Sequence, residues 1–145
     1  MGDEFDAGKF GAVVALQFGV ANAVTNKTAE DLVASDASGN TGGVLMPKSG
    51  SVVGISVKAS AAVTAGSVSF AAHADGTEFA QTGFPNPTLN STTGQTDESY
   101  ATIRPGVLTF SADEAIGVSY TSSTDMAPTN TNDFSVTLWV QLDPN

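Results

Sequence analysis

The chain has 145 residues and a mass of 14.6 kDa, the size of one ordinary domain, and folding at this length can bury roughly 68–70% of the unfolded surface without staples. It has no cysteine, which excludes disulfide frameworks, thiolate zinc sites, iron–sulfur clusters and cysteine nucleophiles. Fifteen acidic against five basic residues give a net charge of −10, which repels a phosphate backbone and argues against a nucleic-acid partner. Charged residues make up 14% of the chain, well below the roughly 25% of an average domain, so Ser and Thr supply much of the polar surface.

The first residues carry Asp3, Glu4 and Asp6, followed by an almost wholly apolar run from Phe10 to Val20 and then Ala21-Asn22-Ala23. That run imitates the apolar region and small-x-small cleavage site of an export signal, but acidic residues stand where such a signal carries positive charge. No run reaches the ~18 apolar residues of a membrane span, so no membrane partner is expected. The expectation is an apolar N-terminal strand. After it the chain turns Gly-, Ser- and Asn-rich up to Thr41-Gly42-Gly43, and residues 1–42 read as an N-terminal arm or strand-bearing extension of a domain at 43–145. Thr28 to Leu32 is the one place where a helical turn is predicted.

From residue 53 the pattern has period two, the signature of a strand with one buried face. Val53, Ile55, Val57 and Ala59 share one side, with Gly54, Ser56, Lys58 and Ser60 on the other. Ala61 to Gly66 turns the chain, and Val68, Phe70 and Ala72 alternate in the next strand. Asp75-Gly76 predicts a type I′ hairpin turn, with Thr77 to Thr82 returning antiparallel. Residues 84–98 and 122–132 are polar, turn-rich loops, the natural place for variable contacts. Between them lie a short strand at Leu108 and Phe110, after the Pro105-Gly106 turn, and another at Ile116, Val118 and Tyr120. The longest alternation closes the chain: Phe134, Val136, Leu138, Val140 and Leu142. Short strands punctuated by turns make the fold class all-β, an antiparallel, jelly-roll-like β-sandwich with an N-terminal arm.

The sequence offers little catalytic chemistry. His73 is the only histidine, and alternation puts it on the polar face of its strand, a solvated residue rather than a general base. There is no Gly-x-Ser-x-Gly elbow, Walker loop or dinucleotide fingerprint, so no enzyme is expected and no catalytic residue is assigned. Asp97-Glu98 and Asp113-Glu114 are adjacent acidic pairs without the alternating spacing that wraps oxygen ligands around calcium, so no metal and no cofactor are expected. Asn26-Lys27-Thr28 and Asn90-Ser91-Thr92 match the glycosylation pattern by chance in a chain rich in Asn and Thr. If the even positions of the last strand point inward, the only tryptophan, Trp139, points outward, either beneath a covering segment or as a subunit contact.

Gly43-Val-Leu-Met-Pro-Lys-Ser-Gly-Ser-Val-Val-Gly-Ile-Ser-Val-Lys58, then Ala61-Ala-Val-Thr-Ala-Gly-Ser-Val-Ser-Phe70, Phe110-Ser-Ala-Asp-Glu-Ala-Ile-Gly-Val-Ser-Tyr-Thr121 and Met126-Ala-Pro-Thr129 together resemble the jelly-roll module recurrent in tailed-phage virion proteins. The likeness is to head decoration (cement) proteins and to some head or tail fibres, over about residues 43–142, with Asp75-Gly76 where similar modules often carry Asn-Gly. The resemblance implies a virion protein made in the host cytoplasm and seated on the outer capsid surface, with the major capsid protein and copies of itself, as a homotrimer, for partners. On this reading Phe5, Phe10, Val14, Leu16 and Phe18 of the arm reach a neighbouring subunit or the shell by strand addition, and Trp139 is a further subunit contact. The alternative is a receptor- or glycan-binding module on a head or tail fibre. Against it, sugar sites use aromatic rings to stack on, and loops 84–98 and 122–132 offer only Phe84 and, at their borders, Tyr100 and Tyr120.

Overall fold

The computed structural model describes residues 11–34, 43–79 and 86–144, and these contain strands and turns but no helix. Twelve strands follow in chain order: β1 (Val13–Ala23), β2 (Glu30–Asp31), β3 (Val33–Ala34), β4 (Val44–Leu45), β5 (Gly50–Ala59), β6 (Ser67–Ala74), β7 (Thr77–Glu78), β8 (Thr88–Asn90), β9 (Glu98–Thr102), β10 (Leu108–Phe110), β11 (Ala115–Ser122) and β12 (Asn132–Leu142). Sheet A runs β10-β5-β12-β1-β3, with β9 beside β10 along the same edge of β5. Sheet B runs β2-β11-β6-β7, with β4 also on β11 and β8 also on β6. All the pairings are antiparallel.

The two sheets close on one core. Leu16, Phe18, Ile55, Val57, Val136, Leu138 and Val140 of sheet A and Val68, Phe70, Ile116, Val118 and Tyr120 of sheet B are buried in a single cluster. Fully burying each of the large side chains contributes about 1.5–3 kcal/mol, which is why strict alternation can specify this architecture. Phe70, Tyr120 and Phe134 lock the layers together: Phe134 meets Phe70 edge-on at 5.2 Å and 90°, and Tyr120 at 6.0 Å and 70°.

Three expectations change in detail, and the hairpin at Asp75-Gly76 is seen in part. In β5 the alternation breaks, because Val140 pairs with Val52 while Trp139 pairs with Gly54, leaving Val53 as the extra residue of a bulge. The inward set is therefore Val52 and then Ile55, Val57 and Ala59, and Val53 is only half-buried. The helical turn at Thr28 to Leu32 is instead strand β2: Ala29 has φ 49°, its amide donates to Thr121 Oγ1, and Glu30 and Asp31 pair with Tyr120 and Ser119. The hairpin at Asp75-Gly76 has positive φ at both residues (48° and 79°), as type I′ requires, and β7 returns antiparallel to β6; among the described residues the returning strand spans Thr77–Glu78, and residues 80–85 lie outside them. Finally, residues 11–34 are not detached from the sandwich. β1 pairs along its length with β12, β3 lies on its other edge, and β2 belongs to sheet B, because Leu16, Phe18, Leu32 and Ala34 are needed inside.

Candidate functional site

His73, on β6, is the one histidine of the chain. The ring is buried, 3% exposed, rather than solvated, because Gly117 on the neighbouring strand leaves room for it: a Cβ there would come within 2.5 Å of the His73 ring. Its Nε2 lies 3.3 Å from Asp31 Oδ1, within ion-pair reach, yet neither ring nitrogen makes a hydrogen bond. A base needs both an orienting partner and a hydroxyl in hydrogen-bond contact, and among the described residues no hydroxyl hydrogen-bonds the ring. Among the described residues no three His, Asp or Glu converge where a metal ion could sit.

The informative surface is the outer face of sheet A, where neighbouring side chains form three rows. In the first, Thr102, Gly54, Trp139 and Ala15 face outward across β9, β5, β12 and β1. Tyr100, Ser56, Thr137 and Gln17 form the second, and Glu98, Lys58, Ser135 and Gly19 the third. The end near the first row is apolar: Trp139 is 42% exposed, next to Ala15, and Val13 beyond it is also exposed. No described segment folds over the indole, which lies above Gly54, where an added Cβ would stand 3.3 Å from Trp139 Cδ1.

The other end of the face is polar. A depression of about 660 Å³ opens there between β5, β9, β12 and the turn carrying Gly94 and Gln95. Lys58 Nζ lies 2.9 Å from Asp97 Oδ2 and 3.6 Å from Glu98 Oε2, bridging the two carboxylates. Its hydrogen bond to Asp97 raises the ammonium above its ordinary 10.5 and holds the Asp97 carboxyl below its ordinary 3.8. Ser99 Oγ donates to Gln95 Oε1 at 3.3 Å, and Thr137 Oγ1 donates to Gln17 Oε1 at 3.0 Å. Tyr100 stands on the wall with 76% of its surface exposed.

The residues singled out from the sequence scatter. Phe5, Phe10 and Phe84 lie outside the described residues. Val14 and Trp139 are exposed. Leu16 (8% exposed) and Phe18 (2%) sit in the core of their own chain, so the assignment of these two to an intersubunit contact is revised: their side chains are already spent on the sandwich. Tyr120 is a core residue and offers no stacking surface. Of the two polar loops, 122–132 is partly structural, since Met126 and Asn132 are buried and Ser122 Oγ donates to the carbonyl of Val24. The Lys58–Asp97–Glu98 cluster and its depression were missed, although the outward position of Lys58 on its strand and the adjacent acidic pair were visible.

No family model matches the chain, and no curated protein matches it. Among solved structures, the fold is similar to that of a chain in the acidic stable capsid structure of Helicobacter pylori bacteriophage KHP30, at 12% identity and a TM-score of 0.53, covering 94% of this chain and 91% of that one. A chain of the cyanophage Pam1 capsid asymmetric unit matches at 14% identity and a TM-score of 0.47, covering 92% of this chain and 86% of that one. At 12% identity the likeness to the KHP30 chain shows the fold alone: a two-sheet antiparallel sandwich of a kind found in a phage capsid structure.

Proposed function

We propose that the chain is a structural protein of a phage virion, a decoration (cement) protein that binds the outside of the expanded shell as a homotrimer. The observation that carries this reading is the end-to-end likeness of its fold to a chain of a phage capsid structure. Its partners are the major capsid protein and its own copies. The apolar end of the outer face of sheet A, centred on Trp139 and Val13, suits a subunit contact, because an exposed aromatic among apolar neighbours gains most from being covered. The N-terminal segment 1–10, with Phe5 and Phe10, is the remaining candidate for reaching a neighbouring subunit or the shell.

The mechanism is clamping. A protein that binds only the expanded lattice adds its binding free energy to that state alone and so resists its disruption. Linked subunits engage several weak contacts at once and gain avidity without a single strong one.

The test is binding of the purified chain to expanded shells that lack it, with mass measurement of the free protein. The expected results are saturable occupancy, a raised disruption temperature of the shell, and a free species of three times the 14.6 kDa chain mass. Trp139→Ala, at an exposed side chain, and removal of residues 1–10 are each expected to lower trimerisation or occupancy. A monomer that never binds shells would overturn the proposal.

A further inference from the structure

We propose that the depression beside Tyr100 is a binding site for a neutral carbohydrate. The inference is independent of shell binding, since it concerns the polar end of a face whose apolar end was assigned above to subunit contact.

Three features of the depression select this ligand class. First, Tyr100 projects from the middle of β9 opposite Ser56, with three-quarters of its surface in solvent. It takes no part in the core, so its flat ring is free to stack on the apolar CH face of a sugar, while its hydroxyl remains a polar handle. Second, the floor and rim carry the hydroxyls of Ser56, Ser135 and Thr137 and the carboxamide of Gln95, groups that exchange hydrogen bonds with sugar hydroxyls. Third, Lys58 fixes the carboxylates of Asp97 and Glu98 from one side. Each carboxylate keeps acceptor positions for vicinal hydroxyls, since an ionised carboxylate has about four lone-pair sites and the ammonium takes few of them.

Charge narrows the choice further. A chain of net charge −10 disfavours sialylated or sulfated ligands. A basic peptide would bring its cations against the ammonium of Lys58, which already sits between the same two carboxylates. A neutral polyhydroxylated ligand meets neither obstacle. The volume, about 660 Å³, lies in the range of small-ligand sites, roughly 300–1,000 Å³, and the open shape suits one or two sugar rings of a longer chain. The site is also pre-formed, because its floor strands β5 and β12 pair with each other across the centre of sheet A.

The test uses the full chain on an array of neutral hexose and N-acetylhexosamine oligosaccharides printed beside sialylated and sulfated ones, followed by NMR titration with the strongest neutral oligosaccharide. Expected are binding to neutral oligosaccharides, resonance shifts centred on Ser56, Gln95, Tyr100 and Thr137, and affinity indifferent to salt up to about 0.5 M. Tyr100→Ala is expected to lower affinity about tenfold or more with an unchanged melting temperature, and Tyr100→Phe to retain most of it. Absence of binding to every neutral oligosaccharide at millimolar concentration would overturn the proposal, as would full binding by Tyr100→Ala. So would shifts at the same residues produced by a lysine-rich peptide and abolished by salt, which would make the depression a peptide contact. Failure of shell binding would leave these readouts unaffected.

Discussion

Asn132 shows how a polar residue can hold a sandwich edge. Its side chain is fully buried; Oδ1 accepts from the amide of Ala61 at 3.1 Å and from Ser60 Oγ at 3.3 Å, and Nδ2 donates to the carbonyl of Ala61 at 3.0 Å. Truncation strands these backbone groups, so Asn132→Ala is expected to lose about 2–4 kcal/mol in denaturant unfolding; a loss under about 0.5 kcal/mol would contradict this role. Lys58 and Asp97 make a prediction of another kind. Because folding lowers the Asp97 pKa, its contribution is present above pH 3.8 and fades as pH falls through the lower folded value. Because folding raises the Lys58 pKa, that contribution is present below pH 10.5 and fades as pH climbs through the higher folded value. Lys58→Met is expected to return the Asp97 titration, followed by carboxyl NMR, to its ordinary value, and an unmoved titration would show that another group holds it. Neither residue's role was legible beforehand. Polar partners brought together from 39 or 72 positions apart leave no local pattern, whereas the apolar alternation of Phe134 to Val140 is written in consecutive residues.

The elements most legible in the sequence were those whose conformation is decided within a few residues. β12, β11 and β6 follow from period two, and the Asp75-Gly76 turn from its own φ preference. What escaped was decided across strands: the bulge at Val53, set by the register of β5 against β12, and the inclusion of β1 and β2 in the sheets rather than in an arm. Two glycines separate these influences. At Gly76 nothing lies within 4 Å of an added Cβ, so Gly76→Ala is expected to cost about 1–2 kcal/mol through its φ of 79° alone. At Gly117 the cost comes from contact, with His73 Cε1 at 2.5 Å from the added Cβ. Gly117→Ala is therefore expected to destabilise by about 1–3 kcal/mol, and part of that loss to disappear when His73 is also changed to Ala. Equal penalties in the His73 and His73→Ala backgrounds would mean that the ring is not what Gly117 accommodates.

At the scale of the whole molecule, a rigid antiparallel sandwich presents one outer face with an apolar end at Trp139 and a hydroxyl-lined end at Tyr100. Such a scaffold suits repeated, symmetric use, in which each copy makes modest contacts and the lattice multiplies them. On the proposed reading the two ends have different tasks, the first to be covered by other subunits and the second to stay open to solvent. The most direct measurement of the central claim is the copy number of the chain in purified particles of the phage encoding it, by quantitative mass spectrometry against the major shell protein. A decoration protein predicts hundreds of copies per particle, near the abundance of the shell protein itself. Tens of copies would place it on a fibre, and its absence from particles would contradict the account altogether.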